Sequence, residues 1–133
     1  MQLQVSTKHA IHILQYLHLH SRDLPTATTI SHAVGVTYPF FVKIANDLKR
    51  HGLLATVQGR NGGYMLVKPA TEISIYDVFL AVEGDLQIVR CLKDKQCCNR
   101  DTSSKCSTHD YLLTLQSDMA ALLSRKYVAD FLQ

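Results

Sequence analysis

The chain has 133 residues, of which 47% are hydrophobic, no Trp and a formal net charge of +3. This composition allows one compact core, while no apolar run approaches the length of a membrane span. The N-terminus lacks the charged-then-apolar order of a signal peptide, so the expected setting is the cytoplasm. In that reducing compartment four cysteines suggest metal ligation or redox sensing more than structural disulfides. Charge is uneven. Residues 1–68 hold seven Lys and Arg against two acids, residues 69–133 hold seven against nine, and six of the seven histidines lie in the first half. A basic first half suits phosphate contact.

The first helix is expected to be capped by Ser6, with Ala10, Ile13, Leu14 and Leu17 recurring as one buried face. Residues 21–25, Ser-Arg-Asp-Leu-Pro, read as a turn. A short second helix is predicted over about Thr28–Val34, with Ile30, Ala33 and Val34 inward and Gly35 in the left-handed position that ends it. Thr37 caps a third helix whose first turn accepts Pro39, since the missing N–H there has no helical partner. Phe41, Ile44, Ala45 and Leu48 form its buried stripe. Gly52 stops it. Two helices about a Gly-containing turn, the second carrying polar and basic residues, describe a helix-turn-helix.

The next stretch sharpens that reading. Leu53–Val57 and Tyr64–Val67 are predicted strands, joined by Gln58-Gly59-Arg60-Asn61-Gly62-Gly63. A hairpin directly after a recognition helix is a wing, and Arg60 at its tip can enter a minor groove or meet a phosphate. The glycines do not form a nucleotide loop, because they join strand to strand and no Lys-Ser/Thr follows. Lys43, Lys49 and Arg50 are candidate phosphate contacts, Tyr38 and Phe40 candidate groove contacts, and Phe41 a core residue. The expected architecture is mainly α with a small β-hairpin wing: a winged helix-turn-helix plus a long dimerisation helix.

Ser74 and Asp77 make a capping box for a fourth helix, with Val78, Phe79 and Val82 inward and Gly84 closing it. All four cysteines then fall in residues 91–106, Cys91-Leu-Lys-Asp-Lys-Gln-Cys97-Cys98-Asn-Arg-Asp-Thr-Ser-Ser-Lys-Cys106, with His109 three residues on. Leu92 is nearly the only apolar residue there, so the stretch reads as an exposed loop. Thiolates are soft donors suited to iron–sulfur clusters. Arg90, Lys93, Lys95, Arg100 and Lys105 favour the thiolate form and offset cluster charge. Ser107 and Asp110 are expected to form a second capping box, opening a long helix to about Lys126. Leu112, Leu115, Met119 and Leu122 form a narrow stripe there, suited to a partner helix. Tyr127–Phe131 reads as a short packed turn. The chain is thus expected to divide into a DNA-binding unit (1–84), a cysteine-rich loop (85–106) and a dimerisation helix with the C-terminal segment (107–133).

These residues resemble the Rrf-two family of winged-helix transcriptional regulators, whose members include the IscR and NsrR types. The resemblance runs nearly end to end. It covers the opening Met-Gln-Leu, the Gly35-Val36-Thr37 turn, the wing core Gly-Arg-Asn-Gly-Gly-Tyr at 59–64, the cysteine loop and Val128-Ala-Asp-Phe-Leu132. It implies a homodimer on a near-palindromic double-stranded operator; no membrane contact is expected from the apolar runs, and no enzymatic role, since no third group to orient a Cys–His pair can be identified. Thr37, Pro39 and Phe40 match the family's recognition positions, while Gln58 stands where other members carry Arg.

The cysteine loop is most similar to the IscR pattern, in which three cysteines and a histidine hold a 2Fe–2S cluster. Cys91 and Cys97, with five residues between them, and Cys106-Ser-Thr-His109 match that spacing. The segment between Cys97 and Cys106 is longer, and Cys98 has no counterpart. Either Cys97 or Cys98 can therefore be the second ligand, and a fourth thiolate would admit a 4Fe–4S cluster; 2Fe–2S is the expected form. The NsrR type can take an aspartate from the partner's first helix, where this sequence has Lys8. Other relatives use a Glu and a His from that helix, and His12 matches only the second. His109 is thus expected ahead of His12. A zinc site on the same residues and a metal-free thiol switch are the alternatives; the paired Cys-x-x-Cys knuckle usual for zinc is absent.

Overall fold

The computed structural model describes residues 4–88 and 107–131. Four of its five helices and one hairpin follow in the order α1 (Val5–Leu19), α2 (Ala27–Val34), α3 (Tyr38–Arg50), β1 (Leu54–Val57), β2 (Gly63–Leu66) and α4 (Ile75–Glu83). The fifth, α5 (Ser107–Ser124), precedes a 3-10 turn at Val128–Phe131.

The core lies where the first three helices cross. Ile13, Leu14 and Leu17 of α1 meet Ile30 of α2 and Phe41, Ile44 and Leu48 of α3, all essentially without solvent contact. In both α1 and α3 these residues step by three and four, which puts them on one face of a 3.6-residue helix. Ile73 and Val78 close the core on the α4 side.

Two boundaries differ from the sequence reading. Ser6 does not cap α1: Gln4 is the capping residue, and it makes no side-chain capping bond. α2 starts at Ala27, capped by Thr26, whose hydroxyl accepts from Thr29 N at 3.3 Å. Its inner face is Ala27, Ile30, Ser31 and Val34. Ala33 is exposed, because a stripe through 27, 30, 31 and 34 leaves position 33 to the side. Gly35 has φ of +80° and ends the helix in the left-handed cap expected of it.

β1 and β2 pair antiparallel, with Leu54 opposite Leu66 and Val57 opposite Gly63. β1 thus starts one residue later than predicted and ends at Val57 as expected, while β2 is shifted by one residue toward the N-terminus. The wing is anchored to the turn after α1: Tyr64 N donates to Pro25 O at 3.0 Å. Leu24, in that turn, holds a positive φ of 44° despite its side chain. A Cβ on Gly63 would lie 2.1 Å from Leu24 O, so only glycine permits this approach.

The Ser74–Asp77 capping box of α4 forms in full, with both bonds at 3.0 Å. Ser107 is the first residue of α5 rather than the residue before it, so it does not take the N-cap position the sequence reading gave it. No residue of α5 is buried in the single chain. Leu112 and Met119 are half-buried, whereas Leu115 and Leu122 are exposed. Beyond α5 the chain returns to the core. Val128 is fully buried, Ser74 and Tyr127 form a bridge, and Ile75 N donates to Lys126 O and Val128 N to Ile73 O.

Candidate nucleic-acid interface

α2, the Gly35 turn, α3 and the β1–β2 hairpin form a winged helix-turn-helix. Thr37 fixes the start of α3: its hydroxyl accepts from Phe40 N at 3.3 Å, and its carbonyl accepts from Phe41 N at 2.9 Å. With Phe41, Ile44, Ala45 and Leu48 turned to the core, the opposite face of α3 is left to solvent. Thr37, Tyr38, Pro39, Lys43, Lys49 and Arg50 are all exposed, Tyr38 to 55%. Phe40 differs from them. It is half-buried and packs edge-on against His9 of α1, with ring centroids 5.8 Å apart.

Asn46 is also exposed on α3, one turn from Lys43, and sequence reasoning passed over it. The signal was available, since Asn is a bidentate partner for adenine and lies three residues beyond a candidate contact. Arg50 is held by an ion pair to Asp47 and donates from Nε to Asn46 O at 3.5 Å. It is less available to a phosphate than Lys43 or Lys49.

At the wing tip Gln58, Arg60 and Asn61 are exposed. The turn closes through Gly62 N donating to Gly59 O at 3.1 Å. A Cβ on Gly62 would fall 1.9 Å from Val57 O, and Gly59 has φ of +112°. The tip therefore keeps its shape only with glycine at these places.

Behind the interface, His9 Nδ1 is buried with no hydrogen-bond partner among the described residues. Burial lowers the His9 pKa from its ordinary value, with smaller contributions from Lys8 and His12, whose ring lies 6.2 Å away. The Tyr64 hydroxyl is pushed up by burial and by Tyr38, and its ring meets Phe41 edge-on at 5.2 Å.

The cysteine-site expectations fall mostly outside the described residues: Cys91, Cys97, Cys98 and Cys106 all do. His109 stands in the first turn of α5, half-buried, and His12 is exposed on α1. Among the described residues no group of three or more His, Cys, Asp and Glu is placed to hold a metal ion. None of their helices is long and apolar enough to cross a membrane.

This architecture defines a winged-helix regulator. The family model Rrf2, described as an iron-dependent transcriptional regulator, matches residues 3–133. The chain belongs to the Rrf2 family, a family of transcriptional regulators rather than enzymes. It is 28% identical over 131 residues to the HTH-type transcriptional regulator IscR of Serratia proteamaculans (strain 568), covering 98% of this chain and 78% of that protein. It is 37% identical over 93 residues to Protein aau3 of Rhizobium meliloti (strain 1021), covering 70% of this chain and 60% of that protein. Among solved structures, CymR (YrzC), the global cysteine regulator of B. subtilis, superposes with a TM-score of 0.75 at 16% identity, covering 98% of this chain and 95% of that one.

Proposed function

We propose that the protein is a homodimeric, cytoplasmic repressor whose affinity for a near-palindromic operator is set by an iron–sulfur cluster. The observation that carries this reading is the gathering of all four cysteines and His109 within residues 91–109 of a chain in a family described as iron-dependent. Cys91, Cys97 and Cys106 would hold the group, with His109 as the fourth ligand and Cys98 or His12 as its substitutes. The donor set fits: thiolates with one imidazole are soft-to-borderline ligands for iron, and the resemblance of the loop to the IscR pattern favours 2Fe–2S over 4Fe–4S. Bound there, the cluster would supply sensitivity to nitric oxide, oxidants or iron supply. An imidazole ligand binds only when neutral, so occupancy would also depend on pH.

The dimer reading is supported by α5. Its 18 residues leave Tyr111, Leu115 and Leu122 exposed on one face, and an apolar helix face of this kind needs a second helix to cover it. Two copies would present two α3 helices and two wings to paired half-sites. Thr37, Tyr38, Pro39 and Asn46 would face bases. Lys43, Lys49 and Arg60 would meet phosphates, with Gln58 and Asn61 beside them.

A metal-free thiol switch is favoured by one feature, the five cations at Arg90, Lys93, Lys95, Arg100 and Lys105 around the thiols. The deciding experiment is an absorption spectrum with iron and sulfide assays on protein purified without oxygen. Visible sulfur-to-iron bands with matching iron and sulfide support the cluster. Colourless protein after reconstitution leaves the thiol switch or zinc. Equal operator affinity with and without a bound cluster would sink the sensing role.

A further inference from the structure

α1 begins without the usual means of satisfying its first amides. Gln4 makes no side-chain capping bond, and the first turn holds no acid. The missing partner comes from the far end of α4. Glu83 Oε1 accepts from Gln4 N at 2.9 Å, and Glu83 Oε2 accepts from Thr7 Oγ1 at 2.7 Å. Thr7 is buried, so its hydroxyl has little access to water as a substitute.

The arrangement is electrostatically directed. Glu83 is the last residue of α4, where the helix dipole disfavours a carboxylate. The positive end of α1 offsets that cost and gains a negative charge that its own first turn lacks. Two residues beyond Thr7, His9 packs against Phe40, whose amide is held by Thr37 at the start of the recognition helix. These bonds form a continuous physical connection from the root of the cysteine stretch to α3. Cys91 lies eight residues after Glu83.

We propose that Glu83 is a positioning residue for DNA recognition: its carboxylate caps α1 from across the domain and so holds His9 against the first turn of α3. A cap with only a local role would affect the start of α1 and nothing beyond it. A positioning role requires that releasing the cap also loosens α3. The proposal stands on contacts within the winged domain and does not require a cluster.

The test uses the full chain with Thr7→Val, Glu83→Gln and the double variant, compared at a temperature where denaturant curves show all of them folded. Thr7→Val keeps the side-chain shape, so the proposal does not depend on one carboxylate variant folding. Hydrogen exchange is followed at residues 5–9 and at Phe40 and Phe41. Both regions are expected to exchange about tenfold faster in each single variant, with the double variant no faster than the worse single, as for two ends of one interaction. Acceleration confined to residues 5–9, or effects that simply add, overturns the proposal.

Binding is measured on a duplex that the unsubstituted protein selects from a random pool. Affinity is expected to fall about fivefold in every variant, at the lower end of usual coupling between sites. Unchanged affinity also overturns the proposal. If the unsubstituted protein selects no duplex, the regulator reading fails, and the exchange data alone decide on Glu83.

Discussion

His9 is the side chain whose environment is most at odds with its chemistry. Its buried Nδ1 has no partner among the described residues, and burial, Lys8 and His12 all oppose a charge on the ring. With a folded pKa below the ordinary value, the unfolded chain takes up the proton first as pH falls. This site's contribution to stability is therefore complete above about pH 6.5 and declines below it, toward the lowered folded value. Denaturant midpoints measured between pH 7 and 5 should fall less steeply in His9→Gln than in the unsubstituted protein. Equal slopes would show that the ring accepts a proton in place.

Gly63 gives a second prediction at this scale. In Gly63→Ala the new methyl meets the Leu24 and Pro25 carbonyls, at 2.1 and 2.6 Å. Backbone cannot yield as a flexible side chain would, so the wing must shift away from the turn. A loss of about 1–3 kcal/mol in unfolding free energy is expected, together with weaker DNA binding from the displaced tip. Retention of both would show that the Leu24–Pro25 turn moves freely.

Among the elements, α3 and α5 have opposite relations to the single chain. α3 is half core and half solvent, so its outer face can be altered without unfolding it. Asp47→Asn should release Arg50 from its ion pair and strengthen binding to duplexes of any sequence, read by fluorescence anisotropy at low salt. α5 has no buried residue to lose. Leu115→Asp with Leu122→Asp should leave the winged domain folded while reducing the sedimenting mass to that of one chain. A double variant that still sediments as a dimer would place the interface elsewhere.

What could be read from the chain divides along the same line. Local chemistry was legible: the Thr37 cap, the Gly35 terminator and the Ser74–Asp77 box each need partners within four residues. The α1 cap was not, because its acceptor is Glu83, 79 residues from Gln4 in sequence. Ser6 was the nearest residue of a suitable type and so was given the role. Ser31 takes the inward place expected of Ala33. Ser31 can be buried because its hydroxyl donates to Thr28 O at 3.0 Å. On the interface, the charges of α3 were legible, but the Asp47 clamp on Arg50 and the inward lean of Phe40 were not, since neither follows from periodicity.

At the scale of the whole molecule, binding should have a large salt-dependent part from Lys43, Lys49 and Arg60. Substituting any one of them by Gln should lower the slope of log affinity against log salt by about one while leaving sequence preference unchanged. A loss of preference with an unchanged slope would instead assign that residue to a base.

The return of the chain to Ser74 has a separate bearing on evolution. Tyr127 and Val128 fasten the C-terminal end beside the start of α4, and Gln116 Oε1 accepts from Ile88 N at 3.2 Å. Described contacts thus hold the chain on both sides of residues 89–106. A flexible connection between two such fixed posts gains length at little cost, about 0.6 kcal/mol for each doubling. The spacing of Cys91, Cys97, Cys98 and Cys106 can therefore change by insertion and deletion while the DNA-reading body stays the same. The longer gap between Cys97 and Cys106 is the kind of difference that two fixed posts permit: the sequence between them can vary without refolding the reader.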